Sequence, residues 1–599
     1  MRLRVIGPVV LLAGLLPSYA VEAQSLLWST VTGTVADAAG QPVRQALVTL
    51  TPLGASGGTE VTTDGSGRFS FPLVSPGEYS VRAEALGYRP VVARGLSVAA
   101  AAEARVDMVM DLAAPPVLGV DTVDAGSVAS AQGGTQISLS DIDALPTRFE
   151  DLSSLLQLVP RATRSHGLAG LPGSMPLLVA DGVPVYGARH PVADGSHVPA
   201  AAFPVSVVST LRVFEAAPDV ELSGTAAGHA LLGTRTGTTM DGLEFEGAWS
   251  GDPLWSSSEL DLSAPPMTSV RAAGRGTIEV SPGRSALAVM ADVLRQENPL
   301  APRLTETEAE ALVGLDPGLV ADLVQPSVET FSRYSALARF DGEASETSRF
   351  FVRGAAGYLV RQFDGPGPVT LTRSAPLPEE TLDYSVAAGY AAQSRPGLLV
   401  EVRGGISGSD RTFEAAADGA AAAYLAATGS VLGVLPRGAG ESGRTDVVLN
   451  PATHIALGSG TLKLGGSVRA SRHTMSHDFE GELLFADAAS LLAQEGVARA
   501  RDGSEASFST RELGLFAQYR FAPSPRVGVT LGARYDRESV SGVEGTLDDD
   551  WLAVSGLRND EYPTAMDQVG ALASFTWDPR GDGSTRLELG SSVHHGDVD

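Results

Sequence analysis

Among the residues able to do chemistry, the triplet Ser476-His477-Asp478 has the composition of a nucleophilic relay, and His473 with His477 has the spacing of a metal pair. Two imidazoles four residues apart share one face of a helix and suit zinc, which takes four ligands in a structural site. Here they fall at a passage from strand to loop with no third ligand placed beside them, so a solvated loop is the reading adopted. A Ser-His-Asp relay is assembled from distant parts of a chain, and three adjacent residues do not ordinarily form it. Asp64-Gly65-Ser66-Gly67-Arg68 starts like a calcium loop but lacks the further alternating carboxylates and the closing glutamate, and reads as a hairpin turn. Asp194-Gly195-Ser196-His197 reads as a polar loop, and Asp548-Asp549-Asp550 as a solvated tip that would attract cations. No catalytic residue, metal ligand or cofactor-binding residue is assigned, and an enzyme is the least favoured class.

Composition narrows the partners. The formal charge is -27 and the chain has one lysine, Lys463, so the clustered basic side chains that nucleic-acid phosphates require are absent. There is no cysteine, hence no disulfide framework and no thiolate metal site. Met1-Arg2-Leu3-Arg4, an apolar run from Val5 to Leu16, and small residues ending at Ala23 form an export signal over residues 1–23. That run is too short to cross a bilayer as a helix, which takes about 20 residues. No later apolar stretch is long enough either, so any membrane crossing must use a β-barrel.

Behind the signal, residues 28–112 alternate short β-prone runs with turns such as Gly40 and Thr63-Asp64-Gly65, and Phe69 and Phe71 share a face of one run. The pattern predicts a small β-sandwich. The series Gly33, Asp37, Gly40, Pro42, Ala46, Asp64, Gly67, Phe69, Phe71, Gly77, Tyr79 and Gly87-Tyr88 resembles the carboxypeptidase regulatory-like domain. Despite its name, that resemblance implies a transthyretin-like accessory module and no peptidase.

Residues 113–135, with Pro115-Pro116 and many Gly, Ala, Ser and Asp, read as a linker. A helical pattern, Phe149 to Val159, then stops before Pro160. Leu177 to Val185 gives two short strands around Asp181-Gly182. A strand-like run from Val205 to Phe214 and Gly-rich turns before Leu231-Leu232 complete a small α+β unit over residues 136–238. In order and spacing these elements resemble the plug of TonB-dependent outer-membrane receptors, with Asp181, Gly182, Val183 and Pro184 as the hairpin motif. The chain departs from that family at Ala216-Ala217-Pro218 and at Gly228 to Leu232, which puts energised plug movement in doubt. The resemblance implies a periplasmic TonB-type energy-coupling protein that pairs with an extended segment by strand addition. Val120, Asp121, Thr122 and Val123 are the candidate coupling segment.

Residues 239–599 carry paired alternating runs. Leu513, Leu515, Ala517, Tyr519 and Phe521 lie on one face, and after Pro523-Ser524-Pro525 the pattern returns from Val527 to Tyr535. Short turns such as Gly458-Ser459-Gly460 contrast with long polar stretches at Ser409 to Arg444, Arg472 to Ser509 and Glu538 to Ala565, the asymmetry of an outer-membrane barrel. Up-down parity fails between Gly251 and Leu300, where one run reads as loop. About a dozen strands or slightly more are legible, against about 22 in plugged transporters. The chain lacks the family's terminal aromatic, so the barrel is expected to be incomplete.

The expected fold is therefore mainly β: a small β-sandwich, an α+β plug and a partial antiparallel transmembrane β-barrel. The resemblance implies a receptor in the outer membrane of a Gram-negative-type bacterium, in contact with its lipid, that takes up a scarce solute such as a glycan, peptide or siderophore. The accessory sandwich tilts the expectation towards glycan or peptide. A non-transporting surface or periplasmic adhesion protein is the alternative.

Overall fold

The computed structural model describes residues 28–110 apart from a few turn residues, 121–124, 135–137, Leu152 and Leu155, 177–185, and 202–237 apart from two short stretches. It further describes 242–250 and, between 268 and 593, the strands named below with their tight turns. The export signal, most of the linker, Asp194 to His197 and Asp548 to Asp550 lie outside the described residues.

The sandwich comprises β1 (Ser29–Asp37), β2 (Leu47–Pro52), β3 (Thr59–Thr62), β4 (Arg68–Val74), β5 (Gly77–Glu84), β6 (Val91–Val98) and β7 (Glu103–Met110). One sheet runs β4-β1-β7; the other runs β3-β2-β5-β6 and is extended by β8 (Asp121–Asp124), which lies parallel to β6. Alternate residues point inward, so Val31, Val35, Phe69, Phe71, Tyr79 and Val81 meet in one core. The Asp64 turn is a turn: its Oδ1 accepts from Ser66 N–H at 2.8 Å, Ser66 Oγ at 2.7 Å and Arg68 N–H at 2.9 Å. Partial burial would raise this carboxyl, but those bonds hold it below the usual aspartate range.

The plug sheet has the order β11-β10-β13-β12-β9, built from β9 (Thr135–Ile137), β10 (Leu177–Ala180), β11 (Val183–Val185), β12 (Val208–Phe214) and β13 (His229–Thr234). The run expected as one strand from Val205 divides. Pro204 opens a 3-10 turn over Val205–Val207, and the strand begins at Val208. Proline fixes φ and has no N–H to give a ladder, which suits a turn start better than a strand interior. Of the expected helix, Leu152 and Leu155 are described; both are helical and buried in the plug core beside Leu178 and Leu211. Their spacing of three places them on one face.

The wall begins with β14 (Leu243–Ser250), β15 (Thr268–Ser281), β16 (Ser285–Leu300), β17 (Ser327–Ser345) and β18 (Ser348–Asp364). After β19 (Thr370–Thr372) come β20 (Glu379–Arg395), β21 (Leu398–Phe413), β22 (Ala422–Leu425), β23 (Ser430–Leu432), β24 (Gly440–Leu457) and β25 (Gly460–His477). After β26 (Glu482–Phe485) and β27 (Val497–Arg499) come β28 (Ser504–Ser524), β29 (Val527–Ser541), β30 (Ala565–Trp577) and β31 (Leu587–Val593). Thirteen of these form one antiparallel sheet, and β19, β22, β23, β26 and β27 form a separate sheet from the long connections.

Two expectations change here. The stretch without parity holds β15 and much of β16, paired with each other along nearly their whole length. Alternation was hidden because Ala272, Ala273, Gly274 and Gly276 put small residues on both faces of β15. The long connections are also shorter than expected, since β21 reaches Phe413, β24 starts at Gly440, β25 reaches His477 and β28 starts at Ser504. His473 therefore sits inside β25 and His477 is its last residue. At roughly 3.3 Å per residue they are too far apart to share a metal. The His473 ring stacks on Phe508, with centroids 4.5 Å apart.

The wall is inverted relative to a soluble sheet. Along β21, Val400 and Val402 are 37% and 40% exposed, whereas Glu401 and Arg403 are fully buried. Tyr334 against Arg333 and Val293 against Asp292 repeat the arrangement. An apolar exterior around an ionic interior is stable where the exterior meets hydrocarbon. Among the described residues no helix is long and apolar enough to cross a membrane.

Candidate functional site

The ionic interior of the wall meets the plug in three clusters. The first is built on the β10–β11 turn. Asp181 and Gly182 have φ of 49° and 75°, so both central residues are left-handed, as a two-residue type I′ hairpin requires. The turn thrusts Asp181 toward the wall. Its Oδ1 accepts from Thr234 N–H at 2.9 Å and Arg339 Nη1 at 2.6 Å, and its Oδ2 from Thr234 Oγ1 at 2.9 Å and Arg353 Nη1 at 2.6 Å. Burial would raise the Asp181 carboxyl, but the two guanidiniums and Thr234 hold it below the usual aspartate range. Arg339 also binds Asp341, and Arg353 also binds Ser385. The Arg353 guanidinium lies 5.0 Å from the centroid of the plug's Phe203 ring.

The second cluster is centred on Asp292 of β16, which accepts from Ser206 Oγ of the plug at 2.9 Å while pairing with Arg271 and Arg333 at 2.9 and 3.0 Å. The third surrounds the plug segment Asp219 to Glu221. Lys463 Nζ lies 3.0 Å from Asp219 and 2.7 Å from Glu221, and Arg403 binds Glu221. Glu401 of the wall lies 3.4 Å from Arg403 and 2.9 Å from His454, and so ties His454 to the same group. Arg534 Nη1 donates to the Glu221 carbonyl at 2.9 Å, and Gln518 Oε1 accepts from Val220 N–H at 3.2 Å. Burial would raise the Asp219 carboxyl; Lys463 and the Glu221 N–H bring it below its ordinary value.

Close approach depends on small wall residues. A Cβ on Gly532 would lie 2.3 Å from Val220 Cγ1, and one on Gly405 would lie 3.2 Å from Val183 Cγ1. Buried charge pairs of this kind add little net stability compared with apolar packing, yet removing one partner costs about 3–5 kcal/mol because the other is left buried. They fix where the plug sits.

Of the residues singled out from the sequence, Asp181, Gly182, Val183 and Pro184 form the tight hairpin, and Asp181 and Val183 face the wall. Val120 lies outside the described residues. Asp121, Thr122 and Val123 lie in β8, on the sandwich sheet and in a different sheet from the hairpin. Sequence reasoning missed Ser206, Asp219 and Glu221 in the plug, and Arg339, Arg353, Arg403, Lys463 and Arg534 in the wall. A signal did exist: a charged residue between two apolar ones in a crossing strand, as in Val400-Glu401-Val402-Arg403, must face the interior.

Residues 30–111 match the carboxypeptidase regulatory-like domain family. The TonB-dependent transporter Oar of Myxococcus xanthus is 29% identical over 177 residues, 28% of this chain and 16% of that protein. The outer membrane transporter YddB from Escherichia coli superposes with a TM-score of 0.51 at 12% identity, covering 78% of this chain and 61% of that one. The siderophore receptor PirA from Acinetobacter baumannii gives 0.50 at 11% identity, covering 75% and 59%. The chain thus spans about three-fifths of these solved relatives and about a sixth of the curated one. The chain carries a sandwich that matches the carboxypeptidase regulatory-like domain family, followed by a small sheet and a long antiparallel wall that share the fold of solved outer-membrane transporters and siderophore receptors.

Proposed function

We propose that this protein is an outer-membrane receptor that binds a scarce extracellular solute, a glycan, peptide, siderophore or similar, and admits it when a periplasmic TonB-type energy-coupling protein pulls on the plug. The observation that carries the reading is the seating of a five-stranded plug sheet by buried ion pairs against a wall whose other face is apolar. A large barrel without its plug would leave an aqueous channel, so the plug is the gate. Its ionic contacts can break and re-form without covalent chemistry. The matched portion of a transporter and the fold shared with a transporter and a siderophore receptor support uptake over adhesion.

The coupling segment in this reading is Val120 to Val123. Ten residues separate β8 from β9, the three-residue edge strand of the plug sheet, which pairs with β12. Among the plug strands, a pull on the segment reaches that edge strand first.

Purified protein in planar lipid bilayers tests the reading. It is expected to insert, to conduct poorly at rest and to open reversibly when mild urea loosens the plug, with a heat-modifiable gel mobility. A full-length product that neither enters bilayers nor shifts mobility on heating refutes the proposal.

A further inference from the structure

The sandwich does not hang free of the barrel. Trp28 immediately precedes β1 and Leu73 lies near the end of β4, yet neither packs in the sandwich core. Both are buried, at 2% and 5% exposure, in a cluster with Val183 of the plug hairpin and with Phe351, Ala391, Leu399 and Ala456 of the wall. The Trp28 and Phe351 rings meet edge to face with centroids 6.3 Å apart. These wall residues adjoin the short β17–β18, β20–β21 and β24–β25 turns, so the sandwich occupies the short-turn mouth, which is the periplasmic one in outer-membrane barrels.

The contact is built in detail. Leu73 has φ of 59°, a left-handed conformation that a leucine rarely adopts, and its carbonyl accepts from Arg349 Nη1 at 2.7 Å. Tyr79 O–H donates to Ser75 O at 2.8 Å and braces the same turn. The next residue, Pro76, lies against the plug: its Cβ is 3.3 Å from where a Cβ on Gly233 would stand. One turn of the sandwich therefore touches wall and plug together. The backbone of β8, which carries three of the four candidate coupling residues, is a strand of the sandwich's own sheet, in register with Val91 to Arg94.

We infer that the sandwich is a stopper seated in the periplasmic mouth, lifted off by the same pull that energises the receptor, and that the plug moves only after it has left. The inference rests on the energised-uptake reading above. Force applied to β8 enters the sandwich through β6 before it reaches β9. The plug hairpin is covered by Trp28 and Leu73, so its exit on that side requires their displacement.

The chain has no native cysteine, so single-cysteine variants report cleanly in the full-length protein in cells. Trp28→Cys and, as a second stopper reporter, Leu73→Cys are compared with the plug reporter Val220→Cys. Each is labelled with a periplasm-accessible maleimide, with and without a protonophore. A benzophenone amino acid in place of Trp28 fixes the stopper to the wall. Energisation is expected to raise labelling at 28 and 73 several-fold, ahead of 220, and the photo-fixed fraction is expected to leave 220 protected. Energy-dependent labelling at 220 with 28 and 73 silent, or in the photo-fixed fraction, overturns the stopper and leaves uptake standing. Silence at all three positions overturns uptake and the stopper with it.

Discussion

Asp181 concentrates the largest consequence in one side chain. It is a plug carboxylate shared by two wall arginines; without its charge Arg339 keeps Asp341, but Arg353 is left with the neutral Ser385. Asp181→Asn is expected to weaken plug seating by about 3–5 kcal/mol, the penalty of leaving a buried charge unpaired. Lowered urea resistance of the plug, read by Trp fluorescence or proteolysis, would measure it. The pH dependence follows from the depressed carboxyl. A group whose folded pKa lies below its unfolded value contributes stability above the unfolded value, about 3.9 for aspartate, and loses it as pH falls through the folded one. The wild-type advantage over Asp181→Asn should thus persist to pH 4 and shrink only in stronger acid. The Asp181-Gly182-Val183-Pro184 motif was legible because turn chemistry is local. Its partners were not, since Arg339 and Arg353 lie 158 and 172 residues away and only the closed wall brings them near.

At the scale of elements, the plug hairpin depends on left-handed backbone at Gly182 as well as at Asp181. Gly182→Ala is expected to cost about 1–3 kcal/mol through backbone strain, with the fold retained, whereas Pro184→Ala should cost much less. Comparative urea titrations of the two variants would check the ranking. Strands such as β28 and β29 could be read directly from alternation because large apolar residues mark one face. In β15 alanines and glycines blur both faces, and in the long connections the sheet formed by β19, β22, β23, β26 and β27 depends on pairing between segments far apart in sequence. Such pairing leaves no local period to detect. The 3-10 turn before β12 was concealed by two β-prone residues, Val205 and Val207, that follow a proline and run into the strand.

For the whole molecule, the apolar exterior predicts opposite tolerance on the two faces of one strand. Val402→Arg on the outer face of β21 should destabilise the barrel in lipid by about 2–4 kcal/mol if it lies near the bilayer midplane. Val402→Ile should be nearly neutral. Folding into phospholipid vesicles under a urea series would distinguish them, and equal stability of the two would contradict membrane burial of this face. The broad plan of sandwich, plug and wall could be read from the sequence because each part has its own period and punctuation. The way the parts are pinned together could not, because pinning is done by charges that look solvent-seeking until the wall encloses them.

Lys463 illustrates what that enclosure does to reactivity. The chain has no other lysine, and this one is held by Asp219 and Glu221 with 3% of its side chain exposed. Amine-directed acylating reagents should therefore leave the side chains of residues 1–599 unmodified at rest. Modification at Lys463, mapped by mass spectrometry, should appear when the segment from Asp219 to Glu221 withdraws, giving the native sequence a chemical clock for gate opening with no engineered label.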